Sequence, residues 1–192
     1  MGRSKEFEEN TVLQKAMEVF WKQGYEKTSM SDLVEQMGIH RKSLYDTFGD
    51  KHSLYLKVMD RYGEYSTARL KSEILRADTA YQAIQYIFDF IIEGNEDKHC
   101  GCLFVNATAE MGPWDQDVVK KSEEAFSEAE YLITEIIKKG QENGEFSCNY
   151  DDEVLGEVLH NALLGLRVLV KTSAHKEKMH NIANFFLNLI SV

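Results

Sequence analysis

Proline is nearly absent: one residue, Pro113, in a chain of 192. All-β sandwiches and barrels usually draw on many Gly/Pro turns, so this scarcity argues for long uninterrupted helices. Cysteine is sparse as well. Cys100, Cys102 and Cys148 make an odd count that suits no secreted disulfide framework and points to a reducing compartment. No apolar run approaches the ~18 residues of a membrane span, and the best candidate, Leu163 to Val170, is short and carries Arg167. The opening Met1-Gly2-Arg3-Ser4-Lys5-Glu6 is charged, and no apolar segment with a cleavage site follows. A secretory signal is therefore not expected, and the cytoplasm is the expected location. Positive charge is also short, with 22 Lys plus Arg against 32 Asp plus Glu and a formal net charge of -10. Taken as an average, that balance argues against nucleic acid as a partner.

What is present is a core-forming chain. Apolar residues make up 43% of it, enough for one ordinary domain with room for a small appended module. Residues 6 to 23 place Leu13, Ala16, Met17, Phe20 and Trp21 on one helical stripe that ends at Gly24. Ser29-x-x-Asp32 reads as a helix cap, and Met30, Leu33, Val34 and Met37 repeat at helical spacing until Gly38. A third short helix, Arg41 to Thr47, follows at once and offers Leu44, Tyr45 and Phe48 to the same core. A long helix runs from Lys51 towards Arg76, and further helices are expected over Ala80 to Ile92, Cys102 to Met111, Asp115 to Asn143, Asp151 to Ser173 and Lys176 to Val192. Glu93 to Gly101 reads as a loop, and Gly112-Pro113 as a break. The fold class is all-α.

The three short helices within residues 6 to 48, with a tight turn at Gly38-Ile39, have the organisation of a helix-turn-helix, whose last helix enters the major groove. Charge supports this locally. Residues 1 to 51 carry a balance of only -1, so nearly all the acidity belongs to residues 52 to 192. Within residues 40 to 57, Arg41, Lys42, Lys51 and Lys57 oppose only Asp46 and Asp50. A small basic face suffices, because phosphate neutralisation is a matter of a few local contacts.

The run Gly38-Ile39-His40-Arg41-Lys42-Ser43-Leu44-Tyr45-Asp46-Thr47-Phe48-Gly49-Asp50-Lys51-His52-Ser53-Leu54 resembles the DNA-binding signature of the TetR/AcrR transcriptional regulators. Ala16-Met17-Glu18-Val19-Phe20 and Gly24-Tyr25-Glu26-Lys27-Thr28-Ser29-Met30 are similar to that family's opening, and the likeness covers about the first 60 residues. Gly101-Cys102-Leu103-Phe104-Val105-Asn106 and Gly165-Leu166-Arg167-Val168-Leu169 resemble one branch of it more weakly. The sequence departs from the pattern at His40, where a small capping residue is common, and at Lys42, where a small residue often sits.

The resemblance implies an all-α homodimer with a helix-turn-helix domain over residues 1–50 and a helical effector-binding and dimerisation domain over 51–192. It implies a repressor released from a palindromic double-stranded operator by a small-molecule effector. No enzyme activity, cofactor or resident metal is expected. Carried over by position, His40, Arg41 and Lys42 are the expected groove and phosphate contacts. Tyr45 would place its hydroxyl on a phosphate, while Thr28, Ser29 and Lys51 would bind phosphates through side chains and helix N-terminal amides. Two reading helices would sit roughly 34–36 Å apart or more.

An effector cavity is expected among Tyr62, Tyr65, Phe88, Ile91, Phe104, Trp114 and Phe126, punctuated by Asn106, Glu110, His160 and Asn161. A dimer face is expected from Val154, Leu155, Leu159, Leu163, Leu166, Leu169, Ile182, Phe185, Phe186 and Leu189. The alternative is a thiol, electrophile or metal sensor on the same scaffold using Cys100 and Cys102, with His99 beside them.

Overall fold

The structure is a computed structural model that describes residues 2–94, 101–172 and 174–192. Among the described residues it is helix after helix: α1 (Gly2–Gln23), α2 (Met30–Met37), α3 (Arg41–Phe48), α4 (Lys51–Ile74), α5 (Ala80–Glu93), α6 (Leu103–Met111), α7 (Gln116–Glu142), α8 (Asp152–Leu169) and α9 (Lys176–Ile190). Among these residues the nearest approach to a strand is an isolated bridge between Phe146 and Ser191. The fold class is all-α, as the proline deficit indicates, and Pro113 falls in the break between α6 and α7.

The chain forms two compact units. The first takes in Met1–Tyr65 and Asn106–Ser122, the second Ser66–Val105 and Glu123–Val192. The first unit thus extends past residue 50 along α4 and recruits part of α6 and the start of α7. The chain passes between units at 65/66, 105/106 and 122/123, each time inside a helix.

The core of the first unit combines Ala16, Met17 and Phe20 of α1 with Leu33, Met37, Leu44 and Phe48 of α2 and α3. Leu54, Tyr55, Val58 and Met59 of α4 and Ala107, Met111 and Val118 complete it. Phe20 packs edge-on against Tyr55 with ring centroids 4.9 Å apart. Without these side chains α2 and α3, eight residues each, are too short to hold as helices in water.

The second unit is built on α5, whose Ile84, Ile87, Phe88, Ile91 and Ile92 meet Leu155, Leu159, Leu163 and Leu166 of α8 and Met179, Ala183, Leu187 and Ile190 of α9. The start of α5 is closed by Thr79, which accepts from the Gln82 amide at 3.1 Å, and by Glu145, which accepts from the amides of Ala80 and Tyr81 at 3.2 and 3.0 Å. A carboxylate there also opposes the positive end of the helix dipole.

Candidate nucleic-acid interface

The reading head starts at a cap that the sequence announces. The Asp32 amide donates to Ser29 Oγ at 3.1 Å, and the Ser29 amide donates to Asp32 Oδ2 at 2.8 Å, forming the reciprocal capping box at the start of α2. The Ser29 amide, and after it the Ser29 side chain, hold the Asp32 carboxyl below the usual carboxylate range. The helix stops at Gly38, whose φ of +69° is costly for any residue with a Cβ, and whose amide donates to the Val34 carbonyl at 3.1 Å. His40 then returns the chain to extended geometry, and α3 starts at Arg41, three residues after the glycine.

Leu44 and Phe48 anchor α3 in the core, which leaves His40, Arg41, Lys42, Ser43, Tyr45 and Asp46 exposed. His40 is the N-cap residue of α3, yet its side chain makes no capping bond. Its ring is exposed at the tip of the helix, where Arg41 and Lys42 follow. The Arg41 guanidinium stands 5.8 Å from the Tyr45 ring centroid, and the Tyr45 side chain is 42% exposed. Lys57 reaches back to α3: its ammonium donates to the Thr47 carbonyl at 3.4 Å and lies 5.3 Å from the Phe48 ring. The Lys51 ammonium sits 4.2 Å from the Tyr25 ring centroid, a cation–π contact that fixes it at the first residue of α4.

Two phosphate-binding expectations need correction. Thr28 is 1% exposed, and its hydroxyl donates to the Gly24 carbonyl at 2.6 Å, so it serves the turn after α1 and leaves the interface. At the start of α4 the Ser53 amide donates to Asp50 Oδ1 at 2.7 Å, so Lys51 offers its ammonium while that helix-end amide is already used. The same bond holds the Asp50 carboxyl below its ordinary range.

The expected cavity residues separate between the two units. In the first, Tyr62 packs edge-on against Trp21 at 5.1 Å, Tyr65 and Asn106 are half-buried, and Trp114 is 65% exposed, a correction to its place in a cavity wall. Glu110 has structural work: Oε2 accepts from the Tyr25 amide and Oε1 from the Glu26 amide, both at 2.9 Å. In the second unit Phe88 and Ile91 belong to the α5 core. Phe104, Phe126 and His160 form one aromatic run, with centroid separations of 6.5 and 6.0 Å. His160 is buried and places Nδ1 3.2 Å from Glu130 Oε2, while Asn161 is exposed. Burial lowers the His160 pKa, outweighing the bond to Glu130.

The expected dimer stripe is half corrected. Leu155, Leu159 and Leu163 face the core of their own unit. The open apolar side of α8 carries the expected Val154 together with Val158 and Val168, joined on α9 by the expected Phe185, which is 63% exposed, and Leu189. Between the two helices runs a groove lined by Val158, Ala162, Gly165, Leu166, Ile182 and Phe186 among others, so Leu166 is both core and groove floor. As for the sensor alternative, His99 and Cys100 lie outside the described residues, and Cys102 is buried, which is poor placement for a reactive thiolate.

Residues 12–58 match the model of bacterial regulatory proteins of the tetR family, and residues 80–186 match the tetracyclin repressor-like C-terminal domain. YezE, an uncharacterised HTH-type transcriptional regulator of Bacillus subtilis (strain 168), is 29% identical over 99% of this chain and 100% of its own length. The HTH-type transcriptional repressor ComR of Escherichia coli (strain K12) is 28% identical over 98% of this chain and 91% of its own. Among solved structures, a cysteine mutant of the TetR family regulator CifR, complexed with 26 bp double-strand operator DNA, superimposes with a TM-score of 0.82 at 26% identity, covering 94% of this chain and 95% of that one. With both halves matched and the helix-turn-helix in place, the chain belongs to the TetR family of DNA-binding transcriptional regulators.

Proposed function

We propose that the protein is a repressor that binds a palindromic operator as a homodimer and is released by a small-molecule effector. The observation that carries this reading is the exposed row His40, Arg41 and Lys42 on a helix whose Leu44 and Phe48 are locked into the core. Arg41 and Lys42 contact base edges and phosphates, His40 offers ring nitrogens at the helix tip, and the Tyr45 hydroxyl reaches a phosphate. Ser29 and Lys51 take flanking phosphates. Support from relatives comes from ComR, a repressor by name, and from CifR, bound to operator DNA in its structure.

The open groove of α8 and α9 is the proposed dimer surface, since exposed Val158, Val168 and Phe185 form an apolar patch that a monomer would leave in water. Effector release would travel along α4, which begins at Lys51 beside the reading head and ends in the second unit. The effector need only favour one of two conformers; ~1–3 kcal/mol of coupling changes operator affinity roughly 5- to 150-fold. The aromatic run Phe104, Phe126 and His160 is the proposed effector-contacting set in the second unit.

Selection of bound duplexes from a random pool tests the reading, followed by screening of small molecules for release of the selected duplex. Recovery of a two-fold symmetric sequence whose complex a small molecule dissolves is the expected result. Recovery of no enriched sequence would overturn it.

A further inference from the structure

In the first unit, His52, Asp115 and Asp117 bring three metal-capable atoms within 4.8 Å of one another. His52 comes from the first turn of α4, and the aspartates from the residue before α7 and from its first turn. Asp115 is held in place from behind: Oδ1 accepts from the Val118 amide at 3.1 Å, which leaves Oδ2 facing His52 Nε2 at 2.8 Å. A carboxylate oriented by an outer hydrogen bond is the usual support of a metal ligand. Asp117 is exposed and has no hydrogen-bond or ion-pair partner among the described residues.

We propose that His52, Asp115 and Asp117 form a binding site for a divalent first-row transition cation. One imidazole and two carboxylates make a mixed nitrogen and oxygen set suited to ions such as Zn2+ or Mn2+, with the remaining positions open to water. Two donors held ~2.1 Å from one ion stand at most about 4.2 Å apart, so the set closes with a swing of the exposed Asp117 side chain.

A His52–Asp115 ion pair alone accounts for two of the three converging groups; Asp117, an acidic residue of the first turn of α7 that also opposes the helix dipole, is the third. Occupancy would tie the start of α4, three residues beyond the end of α3, to the start of α7. On the operator-binding reading above, it would thereby stiffen the reading head.

The test is calorimetry on the full chain, stripped of metal and without DNA, titrated separately with Zn2+ and Mn2+. Uptake of about one ion per chain is expected, weakened at least tenfold in D117N, whose substitution removes no bond of the fold, and in H52Q. C100S/C148S should bind as the parent does. Absence of stoichiometric uptake, uptake that D117N and H52Q leave unchanged, or uptake abolished in C100S/C148S would each overturn the site. Operator affinity with and without the ion is read separately, so failure of DNA binding would not be mistaken for failure of the metal site.

Discussion

Glu110 joins two segments 85 residues apart by accepting the amides of Tyr25 and Glu26 with one carboxylate. The close approach needs a glycine beside it: a Cβ at Gly24, where φ is +83°, would lie 2.9 Å from Glu110 Oε2. Glu110→Ala leaves a half-buried amide without an acceptor, so an unfolding free energy lower by about 2 kcal/mol is expected in urea titration. An unchanged midpoint would show that water replaces the carboxylate. The sequence places Glu110 on an amphipathic helix and so suggests a cavity, because no local pattern reveals an acceptor that serves a turn so far away. His40, Arg41 and Lys42 are legible for the opposite reason: their exposure follows from the spacing of Leu44 and Phe48 on one short helix.

His160 gives a pH signature. Its folded pKa lies below the ordinary value of 6.5 because burial disfavours the imidazolium, with Glu130 opposing and Arg167 adding to the shift. The unfolded chain therefore takes up the proton first. Stability from this group is complete above the unfolded pKa and is lost as pH falls through 6.5 towards the folded value. In His160→Gln the loss between about pH 7 and the folded pKa should disappear, measured as urea midpoints over that range. Equal slopes in both proteins would count against a buried neutral imidazole.

At the scale of elements the helices are readable to within a few residues, because 3.6-residue periodicity and the glycine stops are local signals. The faces of α8 are not. Val154, Val158 and Val168 make one apolar stripe and Leu155, Leu159, Leu163 and Leu166 another, and periodicity does not say which meets its own core. The structure gives the leucines to the core and leaves the valines open. Close helix approach fixes the other side: a Cβ at Gly156 would lie 2.0 Å from Thr134 Oγ1 and 3.4 Å from its backbone Cα. Gly156→Ala should therefore destabilise by roughly 1–3 kcal/mol despite alanine's better helix propensity, with a thermal midpoint to match. A higher stability would mean that α7 and α8 can move apart without cost.

For the whole molecule, the net charge of -10 misleads only as an average. The acidity belongs to residues 52 to 192, and the first 51 residues are nearly neutral, with Arg41 and Lys42 on α3 and Lys51 just after it. Weak non-specific DNA binding is expected from this. Val168→Glu, at an exposed position of the open groove, should weaken self-association at least about thirtyfold in sedimentation while leaving helicity intact. Unchanged association would move the dimer surface elsewhere.

If α3 reads DNA through Arg41 and Lys42, as proposed, fluorescence anisotropy on a selected duplex from about 50 to 200 mM salt registers their loss. In the Arg41→Ala, Lys42→Ala double variant, affinity is expected to fall by ~1–3 kcal/mol for each base edge no longer bound, and the log–log salt slope by about 1 for each phosphate no longer neutralised. A double variant that binds the same duplex with the parent's affinity and the parent's salt slope would contradict the proposal.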